Sequence, residues 1–174
     1  MLFLYISFVI INIVHCLIIY SNRADIKSTI SENATTMPKL LFLYRTTHLI
    51  NGLLISFFVY FVLQANYSPI VLLLVVSSVV FEWLQAIVPA RAKTFMIHGI
   101  LAFLMALSML LMTFAITFQA VKLTNVGLNY IPLCILALLT FGYAKIPPRK
   151  YSWLVQMVTI NSLYIQLILL APVS

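Results

Sequence analysis

Residues 69–88 read PIVLLLVVSSVVFEWLQAIV, and Glu82 is the one charged residue among them. A helix needs about 20 predominantly apolar residues to cross the hydrocarbon core of a bilayer, so this stretch alone predicts a transmembrane helix. The rest of the chain has the same character, since 64% of its 174 residues are hydrophobic and 7% are charged. Soluble domains carry roughly 25% charged residues. The composition therefore excludes a water-exposed globular domain and indicates an integral membrane protein.

Further apolar segments lie on both sides of this stretch. The links between them are short, apart from residues 21–38, and short links favour antiparallel packing of neighbouring helices. We therefore predict an all-α fold in which residues 1–174 form a single polytopic bundle in the cell membrane, with the lipid bilayer as its main partner. Its six predicted transmembrane helices are residues 2–20, 39–64, 69–88, 95–119, 130–144 and 153–170.

The basic residues predict the orientation of this bundle. Lys122 is the one basic residue in the second and fourth links, whereas eight lie in or beside the other three: Arg23, Lys27, Lys39, Arg91, Lys93, Lys145, Arg149 and Lys150. Links rich in Lys and Arg face the cytoplasm, so both termini are expected outside. The same bias accounts for the net charge of +7. Because the chain has no long run of Lys or Arg, we expect no nucleic-acid partner.

Ionisable side chains within the predicted spans mark a candidate site, because such groups are costly in a bilayer and are functional by default. The predicted topology puts all of them in the cytoplasmic half: His15, Arg45, His48, Glu82 and His98. Asn51 flanks the helix face that carries Arg45 and His48, and Gln85 lies on the face of Ser78 and Glu82. We predict that these faces enclose a polar pocket open to the cytoplasm.

Arg45 and Glu82 are expected to form an ion pair. Their predicted depths match, and an unpaired charge inside the bundle would be costly. Two interpretations of such a pair stay open from the sequence. It could serve a gate, an anion site or a proton relay, or it could only fix how the helices pack.

Three functions fit these residues. The favoured one is binding or transport of a lipid headgroup or small polar solute, with Arg45 on an anionic group and His48 and His98 as hydrogen-bond donors or proton carriers. The second is a membrane enzyme, either a hydrolase or a haem protein with His15 and His98 as axial ligands. The third is a structural accessory subunit. No metal-binding spacing of His residues is present, so no cofactor is predicted. Enzyme activity is the less expected outcome, and a homo-oligomer is compatible with the short chain.

Two stretches resemble a known family. The first is TISE at residues 29–32, followed by an apolar segment with NGLL at residues 51–54. The second is the Val88-Pro89 turn followed by IHGILAF at residues 97–103. Both are similar to motifs of the small prokaryotic multi-pass membrane proteins in domain-of-unknown-function family 998. This sequence departs from them at Arg91 and Lys93, where an acidic residue is usual.

That family has no established activity, so the resemblance implies a fold and a chain length rather than a function. It also draws attention to Ser31, Glu32 and His98 as site residues at the cytoplasmic surface. For Ser31 and Glu32 the alternative interpretation is the ordinary polarity of a loop.

Overall fold

The computed structural model describes residues 2–21, 28–63, 68–120 and 152–170, together with Ile135 and Gly142. Every regular element in this part of the chain is a helix, which confirms the predicted all-α class. The helices are α1 (Leu2–Ser21), α2 (Ile30–Ala34), α3 (Pro38–Phe58) with a π-helical continuation (Val59–Leu63), α4 (Pro69–Ile87), α5 (Phe95–Ala120) and α6 (Ser152–Leu170).

Among the residues that the structure describes, four helical segments are long and apolar enough to cross a membrane: Leu2–Ser21, Pro38–Phe61, Pro69–Ile87 and Phe95–Met112. They carry large apolar side chains on their outer faces, such as Phe42 at 72% and Leu73 at 65% exposure. Apolar surfaces of this kind suit lipid rather than water. The helical fold with several apolar helices therefore fits a membrane protein. The predicted span at residues 130–144 lies outside the described residues apart from Ile135 and Gly142.

Prolines set the starts of two of these helices. Pro38 and Pro69 each stand in the first turn of their helix. Proline suits this position because its fixed φ angle matches the helix and its missing N–H would have no partner there.

Part of the long polar link folds as the short helix α2. Thr29 and Glu32 form a capping box: the Glu32 backbone N–H donates to Thr29 Oγ1 at 3.3 Å, and the Thr29 backbone N–H donates to Glu32 Oε2 at 2.7 Å. This pattern satisfies two donors that a helix start otherwise leaves free. Ile30 and Ala34 are fully buried. Helix α2 therefore packs against the bundle, in contact with α1, α3 and α6.

Two apolar clusters in the core leave a polar layer between them along α3. Tyr44 belongs to one cluster, with Ile30 of α2, and Ile55 belongs to the other. His48 and Asn51 lie between these positions and are also buried. Helix α3 packs on α1 and α4, and α1 also packs on α6. Polar side chains of four helices can therefore meet at the level of His48 and Asn51.

Candidate functional site

Glu82 is the centre of a buried polar network between α3 and α4. Its Oε1 atom accepts a hydrogen bond from Asn51 Nδ2 at 2.6 Å and one from His48 Nδ1 at 2.9 Å. The three residues are 2–6% exposed. Charge-assisted hydrogen bonds to a carboxylate are roughly twice as strong as neutral ones. These two contacts therefore fix how α3 and α4 face each other.

The network continues onto α1 and α6. Asn51 Oδ1 accepts hydrogen bonds from Ser7 on α1 and from the Tyr164 hydroxyl on α6. The Ser7 and Tyr164 hydroxyl oxygens also lie 2.9 Å apart. Both side chains are buried. Asn51 thus links three neighbouring helices to Glu82 on the fourth.

The imidazoles of His15 and His48 complete the network. His48 Nδ1 must carry the proton that it donates to Glu82, which leaves its Nε2 as an acceptor when the ring is neutral. His15 Nε2 lies 3.4 Å from that atom, and one of the two nitrogens supplies the N–H. His15, His48 and Glu82 thus form one chain of polar contacts, in which His48 and Glu82 become an ion pair when His48 is protonated.

The expected ion pair between Arg45 and Glu82 is wrong. Arg45 Nε donates to the Ala86 carbonyl at 3.2 Å, and its Nη2 donates to the Ile87 carbonyl at 2.8 Å. These carbonyls lie in the last turn of α4, where intrahelical partners are missing and the helix dipole is negative. The long arginine side chain reaches this helix end, whereas Glu82 lies about one turn earlier and is bonded by α3.

Gln85 and His98 form a second contact between helices, at the start of α5. His98 Nδ1 lies 2.7 Å from the Val88 carbonyl oxygen, so this nitrogen carries a proton. His98 Nε2 lies 3.3 Å from Gln85 Nε2, and it accepts from that amide when the ring is neutral. His98 is buried, with 1% of its surface exposed. This imidazole fastens the beginning of α5 to the end of α4.

Haem ligation by His15 and His98 stays a prediction. Both rings direct Nε2 at a protein neighbour, His48 in one case and Gln85 in the other. Among the residues that the structure describes, no three His, Cys, Asp or Glu side chains form a group that could hold a metal ion.

A cavity of about 80 Å³ lies beside Glu82. A single water needs roughly 10–15 Å³, so the space admits several waters or a small molecule. Its wall includes these candidates from the sequence: Ser31, His48, Asn51, Glu82 and Gln85. The other candidates lie outside the wall: His15, Glu32, Arg45 and His98.

Ser31 reaches the cavity because of α2. The sequence placed Ser31 and Glu32 at the cytoplasmic surface, but Ser31 is 3% exposed and Glu32 is half-buried. The capping box turns Glu32 back onto Thr29, and the Ile30 backbone N–H donates to Gln156 Oε1 of α6 at 2.8 Å. Part of the first link is therefore a wall of the cavity.

Two polar atoms at the cavity wall have no hydrogen-bond partner in the described part of the chain. One is Ser78 Oγ, on a side chain that is 5% exposed. The other is Glu82 Oε2, since both hydrogen bonds of this carboxylate go to Oε1. Ser78 and Glu82 are one helical turn apart on α4 and both face the cavity.

The sequence indicated some of these residues and missed others. Ser78 stood out by its spacing from Glu82 but was not a candidate. Ser7 and Tyr164 were missed altogether. For Ser7, the sequence signal was a hydroxyl within an apolar segment. For Tyr164, the signal was its position inside a predicted span, because tyrosines that anchor helices lie at the ends of spans.

No protein family, no curated protein and no solved structure matches this chain. The fold and the buried network therefore carry the functional argument.

Proposed function

We propose that this chain is a multi-pass protein of the cell membrane that binds a small polar solute or a lipid headgroup in the cavity beside Glu82, either to transport it or to hold it. One observation carries this proposal: Glu82 lines the cavity, and its Oε2 atom accepts no hydrogen bond from the described residues, since both of its bonds go to Oε1. A buried polar group without a partner costs about 1–3 kcal/mol, and more when it is charged. A ligand or ordered water that bonds this oxygen removes this cost.

The composition of the wall also supports a ligand with both polar and apolar parts. Glu82, Gln85 and Ser78 supply polar atoms on one side, whereas Met105 and Met109 supply flexible apolar surface on the other. Small-molecule sites have this mixture of an apolar wall and a few placed polar groups.

The proposal includes six spans with both termini outside and the first, third and fifth links in the cytoplasm. The distribution of Lys and Arg supports this orientation. Thr29 and Ser31, which belong to the first link, also line the cavity. In this orientation the cavity lies next to a cytoplasmic link, so solute would enter from that side.

Cysteine labelling tests the orientation. In a Cys16→Ser, Cys134→Ser background, we expect a membrane-impermeant maleimide to label Ser68→Cys in intact cells. It should label Lys93→Cys only after the membrane is permeabilised, because the link of Lys93 is basic and the link of Ser68 is not. Labelling of Lys93→Cys in intact cells would overturn the proposed orientation.

Filling the cavity tests ligand binding. Ala106 is 6% exposed and lies in the cavity wall, so Ala106→Phe should occupy the space that a ligand needs. We expect native mass spectrometry of the wild-type protein, released from the membrane in mild detergent, to show a small-molecule adduct that Ala106→Phe loses.

The matched control is Ile100→Phe, which enlarges an exposed side chain of the same helix and should keep the adduct. A wild-type protein without an adduct, or an adduct that Ala106→Phe retains in full, would contradict the proposed function.

A further inference from the structure

The short helix α2 covers one end of the cavity. Thr29 and Ser31 line the cavity next to α2, and Gln156 lines it from the second turn of α6. Tyr164 also lines it but lies about 12 Å further along α6, at the usual helical rise of about 1.5 Å per residue. The apolar cluster that contains α2 joins the end of α1 to the beginnings of α3 and α6. Helix α2 therefore stands between the cavity and this end of the bundle.

Apolar and polar contacts hold α2 in this position. Ile30 and Ala34 are fully buried and belong to the same apolar cluster as Tyr44. The Ile30 backbone N–H donates to Gln156 Oε1 at 2.8 Å. An N–H in the first turn of a helix has no carbonyl partner within that helix, so the Gln156 side chain supplies the acceptor. Gln156 thereby fastens the start of α2 to α6.

Helix α2 has little stability of its own. It is five residues long, and isolated helices shorter than about 12–15 residues are marginal in water. Thr29, Ser31 and Asn33 are buried although their side chains are polar. Burial of polar groups stabilises less than burial of apolar groups, and segments with few buried apolar contacts open locally at a low free-energy cost. We therefore expect α2 to leave the bundle far more easily than the long helices unfold.

The turn after α2 allows it to move as a unit. The backbone N–H groups of Thr35 and Thr36 donate to the carbonyls of Glu32 and Asn33, so these bonds stay within the moving segment. Met37 follows in an extended conformation and is 46% exposed. Hinges of lids are often a few such residues at the end of an element.

We propose that α2 is a gate of the cavity. It opens as a unit to admit ligand, and it closes when the Ile30 backbone N–H bonds Gln156. Lids of this kind separate a bound ligand from water. Gln156 is a positioning residue, since it acts on ligand access through α2. This inference rests on the proposed function, because the gated space is the proposed binding cavity.

The reactivity of a thiol inside the cavity tests the gate. The target is Ala106→Cys in the Cys16→Ser, Cys134→Ser background, since Ala106 lines the cavity and is 6% exposed. The probe is 2-aminoethyl methanethiosulfonate, which forms a mixed disulfide with the introduced thiolate and releases methanesulfinate. Labelling of the protein in lipid nanodiscs is followed by mass spectrometry. A buried thiol reacts through the open state, so the labelling rate follows the open population.

Glu32→Ala is the decisive variant because Glu32 belongs to α2 but lies outside the cavity wall. The change removes the acceptor of the Thr29 backbone N–H, and loss of a capping side chain destabilises a helix. We expect the labelling rate to rise at least about threefold. Glu32→Gln is the matched control, since glutamine also completes a capping box, and its rate should stay within about twofold of the parent protein.

Gln156→Ala is the second variant. It leaves the Ile30 backbone N–H without its acceptor in the closed position, so the labelling rate should rise at least about fivefold. A thiol at Lys93→Cys, in the exposed link before α5, controls for the intrinsic reactivity of the probe. Its labelling rate should be the same with and without Glu32→Ala or Gln156→Ala.

The outcomes separate the gate from the proposed function. Unchanged labelling in Glu32→Ala would overturn the gate. A rise in Gln156→Ala alone would do so as well, because it would show a hole in the wall rather than movement of α2. The gate is also wrong if the thiol of Ala106→Cys reacts as fast as that of Lys93→Cys in the parent protein, or if it reacts in no variant. In each case the adduct that Ala106→Phe should lose still decides the proposed function by itself.

Discussion

Glu82→Ala is expected to lower the free energy of unfolding by roughly 2–6 kcal/mol, because it leaves two buried donors without their acceptor and each such loss costs about 1–3 kcal/mol. The donors are Asn51 Nδ2 and His48 Nδ1, and both residues are at most 6% exposed. Unfolding is measured by titration with SDS in mixed micelles, followed by tryptophan fluorescence.

Ser78→Ala is the matched control for this prediction. Ser78 lies one turn from Glu82 on the same helix and in the same cavity wall, but its Oγ has no hydrogen-bond partner in the described part of the chain. Removing that hydroxyl breaks no hydrogen bond, so the free energy of unfolding should stay unchanged or rise. The free energy of unfolding of Glu82→Gln should be close to that of Ser78→Ala, since the Gln side chain retains an acceptor oxygen. Equal free energies of unfolding for Glu82→Ala and Ser78→Ala would show that the network does not stabilise the fold.

The difference between these variants also bears on function. A carboxylate that only holds α3 against α4 needs one oxygen for that task, and Oε1 performs it. The second oxygen, Oε2, adds nothing to helix packing. Glu82→Gln is therefore the variant that separates the two roles, because it keeps an acceptor for Asn51 and His48 but removes the carboxylate from the cavity wall.

Much of the polar layer could be predicted from the sequence. Periodicity put His48 on one face of a helix with Asn51 flanking it, and Glu82 and Gln85 on one face of the next. The high cost of polar groups in lipid then requires these sides to face the bundle interior. The structure has all four residues buried and lining one cavity. Helical spacing and the cost of exposing polar groups to lipid were sufficient to predict this part of the polar layer.

The contacts between particular side chains could not be predicted in the same way. Equal depth and opposite charge paired Arg45 with Glu82, but depth along a helix does not give the direction of a long side chain. Arg45 reaches the carbonyls at the end of α4, where donors are needed. Ser7 and Tyr164 join Asn51 because α1 packs between α3 and α6, and this neighbour relation is a property of the folded bundle.

Helix α2 could be predicted from the sequence only in part. The TISE motif contains a capping box, so the sequence alone could have indicated a helix start at Thr29. Burial of Ile30 and Ser31 depends instead on contacts with distant residues, such as the bond from the Ile30 backbone N–H to Gln156 of α6. Local pattern thus predicts the element, while its place in the cavity wall depends on tertiary packing.

Gly52→Ala is expected to lower the free energy of unfolding by about 1–3 kcal/mol, the usual range for forcing an extra carbon into a packed interface. A Cβ atom at Gly52 would lie 2.8 Å from Trp83 Cδ1 and from Trp83 Cε2, well inside normal contact distance. The indole must then move and give up its hydrogen bond from Nε1 to the Leu49 carbonyl. A Trp153→Phe background isolates Trp83 fluorescence, which should shift in wavelength with this displacement.

The control for this prediction is Gly99→Ala, since a Cβ atom there meets nothing within 4 Å and alanine favours a helix over glycine. That variant should be neutral or slightly stabilising. In a Trp83→Ala background, Gly52→Ala should lose most of its effect, because mutations of residues in contact are not additive. An unchanged effect in that background would contradict the Gly52–Trp83 contact.

Gly52 follows Asn51 directly, so the close approach of α3 to α4 that it permits also sets the 2.6 Å bond from Asn51 to Glu82. Gly52→Ala is therefore expected to weaken ligand binding in the cavity as well as stability, although Gly52 lies outside the cavity wall.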